Sequence, residues 1–205
     1  MKVMYVAAII ISAVFTNVQA APHCGELTTA YGPYDYTNAD HRTNKLSVVE
    51  QFHFTPDMEK LIKGANSLGG DFHYTLASFP NHHRALDSMA KLAFKEKTIR
   101  PAGAKYSVEC YFERAIRFKP KDAIVRMVYG NYLLKAGRPQ KAAEQLQIAV
   151  DVEPENATIN YNLGLLHVQK KDYVEAMDYA KKAYELGFPL PGLKNQLKQA
   201  GKWDE

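Results

Sequence analysis

From residue 81 onward, apolar side chains recur every three to four positions, the period of an amphipathic helix. HHRALDSMAKLAFKEK sets Leu86, Met89, Ala90 and Ala93 on one face, and SVECYFERAIRF does the same with Val108, Phe112, Ala115 and Ile116. Two helices are therefore predicted, joined through TIRPAG at 98–103. Ahead of them, Phe72, Leu76 and Phe79 share a face that ends at Pro80. This stretch reads as the second helix of an incomplete pair, entered after a glycine-rich break at Leu68-Gly69-Gly70. Arg42 to Phe52 has helical spacing through Leu46, Val49 and Phe52. Thr55-Pro56 then looks like the start of a short helix carrying Met58, Leu61 and Ile62, with its stop at Gly64. The stretch CGELTTAYGPYDYTNADH has no period. Its Tyr31, Tyr34 and Tyr36 around Gly32-Pro33 predict an ordered loop wrapped on the helices rather than a strand pair.

The second half of the chain repeats itself. Shifted by 34 residues, Asp122 to Pro154 lands on a copy: Gly130 falls on Gly164, Ala142 on Ala176 and Ala149 on Ala183. One step back, Pro120 falls on Pro154 and Ala115 on Ala149. A fixed period of this length marks an array of helix pairs. Glycine inside a helix costs about 1 kcal/mol against alanine, so Gly130 and Gly164 predict close approach of a neighbouring element. Pro120 and Pro154 close the second helix of a unit, and Gly137-Arg138-Pro139 make the turn between helices. Pro80 to Pro120 exceeds the period by six residues, which an inter-helix loop at 98–103 can absorb without disturbing stacking.

These residues resemble the tetratricopeptide repeat. Tyr129-Gly130 and Leu163-Gly164 stand at its Leu-Gly pair; Ala142, Leu146, Ala149 and Ala176, Ala180, Ala183 follow its Ala-xxx-Phe-xx-Ala run; Pro154 matches its closing proline. Arg126 and Asn160 replace its tryptophan. The resemblance covers about residues 80 to 190. It implies an all-α, right-handed superhelix of about three helix pairs, with first helices lining a concave groove that holds a protein or peptide partner. Aligning Ala90, Gly130 and Gly164 puts Arg84, Asp87, Lys91 and Lys95 on that groove, then Met127, Asn131, Leu134 and Lys135, then Tyr161, Asn162 and Leu165. This mixture of cations, amides and an aromatic suits an extended peptide with carboxylates; an ordinary solvated helix face and a groove filled by the N-terminal segment itself are the alternatives. The expected layout is a signal peptide at 1–20, an irregular extension with short helices at 21–66, the array at 67–190 (units near 81–120, 121–154 and 155–188), and a polar capping helix at 191–205 opened by Pro191.

The N-terminus changes the cellular picture. Lys2, the apolar run Val3 to Phe15 and Val18-Gln19-Ala20 form an export signal with cleavage expected after Ala20. An uncleaved anchor is the alternative, but the run is short for a membrane span. Pro22-His23 before Cys24 do not form a lipoprotein box. The expectation is an exported protein of a bacterial periplasm, with no stable membrane span once cleaved. Cys24 and Cys110 are the two cysteines; in an oxidising compartment they invite one disulfide, two unrelated thiols being the other possibility.

Composition adds little: 46% hydrophobic residues can build a core, and a formal charge of +4 on 205 residues does not point to nucleic acid. Of seven histidines, His82 and His83 adjoin, and His53 and His73 sit between aromatics. Neither His-xxx-His nor Cys-xx-Cys spacing occurs, so no metal site and no cofactor is expected. The phosphate-loop, dinucleotide and Gly-x-Ser-x-Gly patterns are likewise missing. The expectation is a non-catalytic scaffold, with assembly of an envelope complex as one role open to it. A site in the Tyr/His-rich N-terminal part, enzymatic or metal-dependent, stays open, as does a purely structural subunit.

Overall fold

The computed structural model describes residues 24–62 and 67–203; the expected signal segment and the stop at Gly64 lie outside them. Among the described residues all regular structure is helical. Ala39–His41 (α1) runs through a five-residue π-helical turn, Arg42–Leu46, into Ser47–His53 (α2), and Pro56–Glu59 forms α3. The larger helices are Leu68–Ser78 (α4), His83–Glu96 (α5), Val108–Phe118 (α6), Ala123–Lys135 (α7), Pro139–Val152 (α8), Ala157–Gln169 (α9), Tyr173–Glu185 (α10) and Gly192–Gln199 (α11).

Local chemistry sets these bounds. Ser67, Ser107, Asp122 and Asn156 each accept a backbone N–H of the first turn they cap. Phe79, Lys119 and Glu153 precede prolines; their ψ values of 85°, 86° and 74° lie outside the helical region, which ends α4, α6 and α8. Gly137 takes a left-handed φ of +74° after α7. One period later Lys171 takes the same conformation, at +60°.

Helices α5/α6, α7/α8 and α9/α10 pair, and the first helices α5, α7 and α9 lie side by side. Leu86, Met89, Phe112, Leu133, Leu146, Ile159 and Leu163 join one continuous core across the pairs. Gly130 is required where α7 meets α8: a Cβ there would come within 2.7 Å of Leu146 Cγ. The same step of 34 residues puts Ala180 where Leu146 stands, and the space this leaves is filled from outside the repeat. Leu193 of α11 reaches over Gly164, to 2.4 Å of an added Cβ. The cap therefore packs on the array as a knob.

Two sequence expectations need correction. Leu68-Gly69-Gly70 is not a break but the first turn of α4. Gly69 is there because the 97–107 loop crosses it: an added Cβ would meet Ala102 O at 2.3 Å. And α3 ends at Glu59, with Leu61 left-handed at φ 58°, rather than running on toward Gly64.

The N-terminal extension is bolted to the array. Cys24 and Cys110 form a disulfide with Cα atoms 5.2 Å apart. The buried Arg114 guanidinium donates through Nη1 to the carbonyls of Cys24, Gly25 and Glu26 at 3.1, 3.2 and 2.6 Å. Further along, Tyr34 N donates to Ser78 O at 2.8 Å, and Tyr36 N to Asn81 Oδ1 at 2.9 Å.

Candidate functional site

The first helices present the face to which the groove was assigned. On α5 that face is partly covered by the protein's own chain. Arg84 pairs with Glu59 and with Glu50, its guanidinium lying over the Phe54 ring at 5.3 Å. Ser88 Oγ donates to Glu59 O at 3.3 Å, and Lys95 Nζ to Leu61 O at 2.9 Å. Met58 is buried and Leu61 packs against the core. Residues 54–62 thus lie along α5 as an occupant would. The bond from Glu59 raises the Arg84 pKa further above its ordinary value, and the same pairing holds the Glu59 carboxyl down. Lys91 remains exposed and, among the described residues, pairs with Asp87 on its own helix.

At the other end, Tyr161 is also taken. Its ring stacks on Phe188 at 3.9 Å within the cluster around Leu193 and Leu197 of the cap. Between these covered ends lies the stretch of the face that stays open. On α7, Met127 and Leu134 are half-buried beside Asn131, and the exposed Lys135 holds its Nζ 4.6 Å over the Phe94 ring. On α9, Asn162 is half-buried, while Leu165 packs with Tyr161 against the cluster around Leu193 and Leu197. Neither the Asn131 nor the Asn162 side-chain amide makes a hydrogen bond among the described residues. Each amide offers two N–H donors and one carbonyl acceptor, the set that an extended main chain pairs with.

The sequence-level candidates for chemistry are structural. His82 is fully buried; its Nδ1 accepts Ala85 N–H at 3.1 Å, so Nε2 carries the proton and donates to Glu50 at 3.0 Å. Tyr36 stacks on its ring at 4.2 Å. Burial pushes the His82 pKa down. His83 pairs with Asp122, which Asn81 joins to Asp35, and Lys119 completes the clasp on Asp35. Burial alone would raise the Asp35 carboxyl; the bonds from Lys119, Asn81 and Thr37 outweigh it and hold it well below the usual range. His53 pairs with Asp71, and His73 Nδ1 lies 2.9 Å from the Tyr111 hydroxyl, whose pKa burial pushes up to about 12. Among the described residues Cys24, Cys110 and Glu113 form a cluster of ligand-type side chains, and its cysteines are consumed in the disulfide.

Sequence reasoning placed the helix pairs and allowed the N-terminal segment onto the face of the first helices, but did not single out residues 54–62 on α5. Glu59 and Arg84 belong to elements outside the 34-residue period, and no spacing announces such a pair.

A family model described as tetratricopeptide repeat matches residues 129–187. No curated protein sequence gives a significant match. Among solved structures, one reported as the functional characterization of Pseudomonas aeruginosa pilF is 19% identical, covers 80% of this chain and 70% of that chain, and superposes with a TM-score of 0.55. A crystal structure of MamA is 16% identical, with 80% and 86% coverage and a TM-score of 0.49. At such identity the pilF likeness speaks for the fold alone. Among the described residues no helix is long and apolar enough to cross a membrane.

Proposed function

Because residues 129–187 match the tetratricopeptide repeat and the helix pairs continue that plan, we propose that this chain is an exported, non-catalytic scaffold that holds an extended segment of a partner protein against the open face of α7 and α9, in the assembly of an envelope complex. The observation that carries this reading is the pair of half-buried amides, Asn131 and Asn162, on adjacent first helices and without partners of their own among the described residues. Both amides keep contact with solvent, so water satisfies them in the free protein and a ligand main chain can take its place. Lys135 beside them adds a cation for a carboxylate on the partner. Residues 54–62 on α5 and the cap on α9 bound the binding region, so Arg84 and Tyr161 serve the scaffold's own architecture while Met127, Asn131, Lys135 and Asn162 face the partner, with Lys91 at the rim. The disulfide supports the exported, periplasmic setting.

A photo-crosslinking side chain at position 131, introduced into the protein in its native envelope, tests the reading. A discrete cross-linked partner is expected. Loss of that product in the Asn162→Ala, Lys135→Ala double variant, with melting unchanged, would place the partner on this face. Retention of the product would move it elsewhere.

A further inference from the structure

The connection between α5 and α6 spans 97–107, whereas those within the next two pairs span only 136–138 and 170–172. The stacking of helix pairs does not need the extra chain, and insertions in repeat arrays gather in loops that often bind. This one is built rather than slack. Ala102 N donates to Glu96 Oε2 at 2.8 Å, Ala104 N to Pro101 O at 2.9 Å, Lys105 N to the Tyr111 hydroxyl at 3.2 Å, and Val108 N to Ile99 O at 2.9 Å. Ala104 is buried, and Gly69 gives up a side chain so that Ala102 can approach.

What this fixed loop shows to solvent is unusual. Ile99 is 70% exposed. Lys97, Arg100 and Lys105 are exposed around it, and none meets a carboxylate at ion-pair distance among the described residues. Lys105 Nζ instead lies 5.3 Å over the Tyr106 ring. Ile99, Arg100, Lys105 and Tyr106 line a concavity of about 520 Å³ whose wall includes Cys110, so the disulfide stiffens it. A rigid loop that holds an isoleucine in water between unpaired cations has an unmet complement.

We propose that this loop is a second docking surface, separate from the α7/α9 face, for an acidic protein segment carrying one aliphatic side chain among its carboxylates. The aliphatic group covers Ile99 while the carboxylates meet Arg100 and Lys105. Charge complementarity selects the sign of the partner. The exposed aliphatic side chain selects protein over nucleic acid, which would require stacking rings and a longer run of cations. The inference does not depend on the groove reading.

The test uses fluorescence anisotropy on the disulfide-bonded protein with a labelled peptide of glutamates flanking a single leucine. Saturable binding that weakens with added salt is expected. Arg100→Glu with Lys105→Glu should weaken it by roughly tenfold or more, as reversal replaces two charge attractions with repulsions. Ile99→Ser should weaken it roughly threefold or more. Asn131→Ala with Lys135→Ala should leave it unchanged, which separates this surface from the groove. Undiminished binding to the reversed variant overturns the proposal. So does equal binding of a leucine-free polyglutamate, or tighter binding of a single-stranded oligonucleotide. Amide shift mapping on the unsubstituted protein decides the matter independently of any effect of substitution on folding: shifts at 97–107 support the proposal, and shifts confined to α7 and α9 refute it.

Discussion

His82 does in one ring what usually takes several side chains. It caps α5 through Nδ1, ties Glu50 of α2 through Nε2, and offers a face to Tyr36. The cap needs the neutral ring, since an imidazolium has no lone pair for Ala85 N–H, whereas the bond to Glu50 would survive protonation. The charged and titratable groups around it are Glu50, which favours protonation, and Arg84 and His83, which oppose it; burial is the largest influence and also opposes. A base whose folded pKa lies below its unfolded value binds more protons when unfolded, so stability is full above about pH 6.5 and falls as pH drops below it. Melting temperature is therefore expected to decline between about pH 7 and pH 5. In His82→Asn, which keeps a capping acceptor but cannot protonate, the decline should be shallower. Parallel profiles for the two proteins would show that His82 is not the responsible group.

At the scale of elements, Gly130 and Gly164 make different contacts despite equivalent places in the repeat. Gly130 abuts Leu146 within its own pair, whereas Gly164 abuts Leu193 of the cap. Gly130→Leu should lower global stability by about 1–3 kcal/mol or more, by overpacking α7 against α8. Gly164→Leu should first release α11, seen in hydrogen exchange as lost protection near Leu193 and Leu197 before the remainder. Equal, global destabilisation by both would contradict this division. The pairs α5 to α10 were legible because repetition writes small residues at a fixed interval, and the caps and prolines punctuate it. The seat of Leu193 was not, because it depends on Ala180 lacking the bulk of Leu146, a difference that looks conservative in sequence. The role of Gly69 was misread for a related reason. A glycine needed for close approach looks the same as one that ends a helix, and only the crossing of Ala102 distinguishes them. Within the site, Asn131, Lys135 and Asn162 stay on the open face, but Arg84 and Tyr161 are diverted by contacts from outside the repeat.

For the whole molecule, the question is how a long aperiodic segment stays on a repeat array. The disulfide and the Arg114 carbonyl cage hold it together at residues 24–26, and the Asp35–Asn81–Asp122 clasp holds it farther along. On the chain-entropy model, a bond closing a loop of 86 residues stabilises by about 4–5 kcal/mol. Reduction, or Cys24→Ser with Cys110→Ser, should lower the denaturant midpoint accordingly while leaving helical content nearly unchanged, because the clasp and the buried Phe54 and Met58 remain. A midpoint insensitive to reductant would mean that the bond does not constrain the unfolded chain. The same bond also sets how the molecule bears load. Tension entering at Cys24 passes straight across the sulfurs into α6 and bypasses everything between, so α1 to α5 lie in a slack loop that pulling cannot straighten. Stretched from its ends, the oxidised protein would pay out only the chain beyond that ring, and reduction would release about 300 Å more. The open face of α7 and α9 lies outside the ring, on the part of the chain that yields, while the 97–107 loop lies inside it and would keep its shape longest.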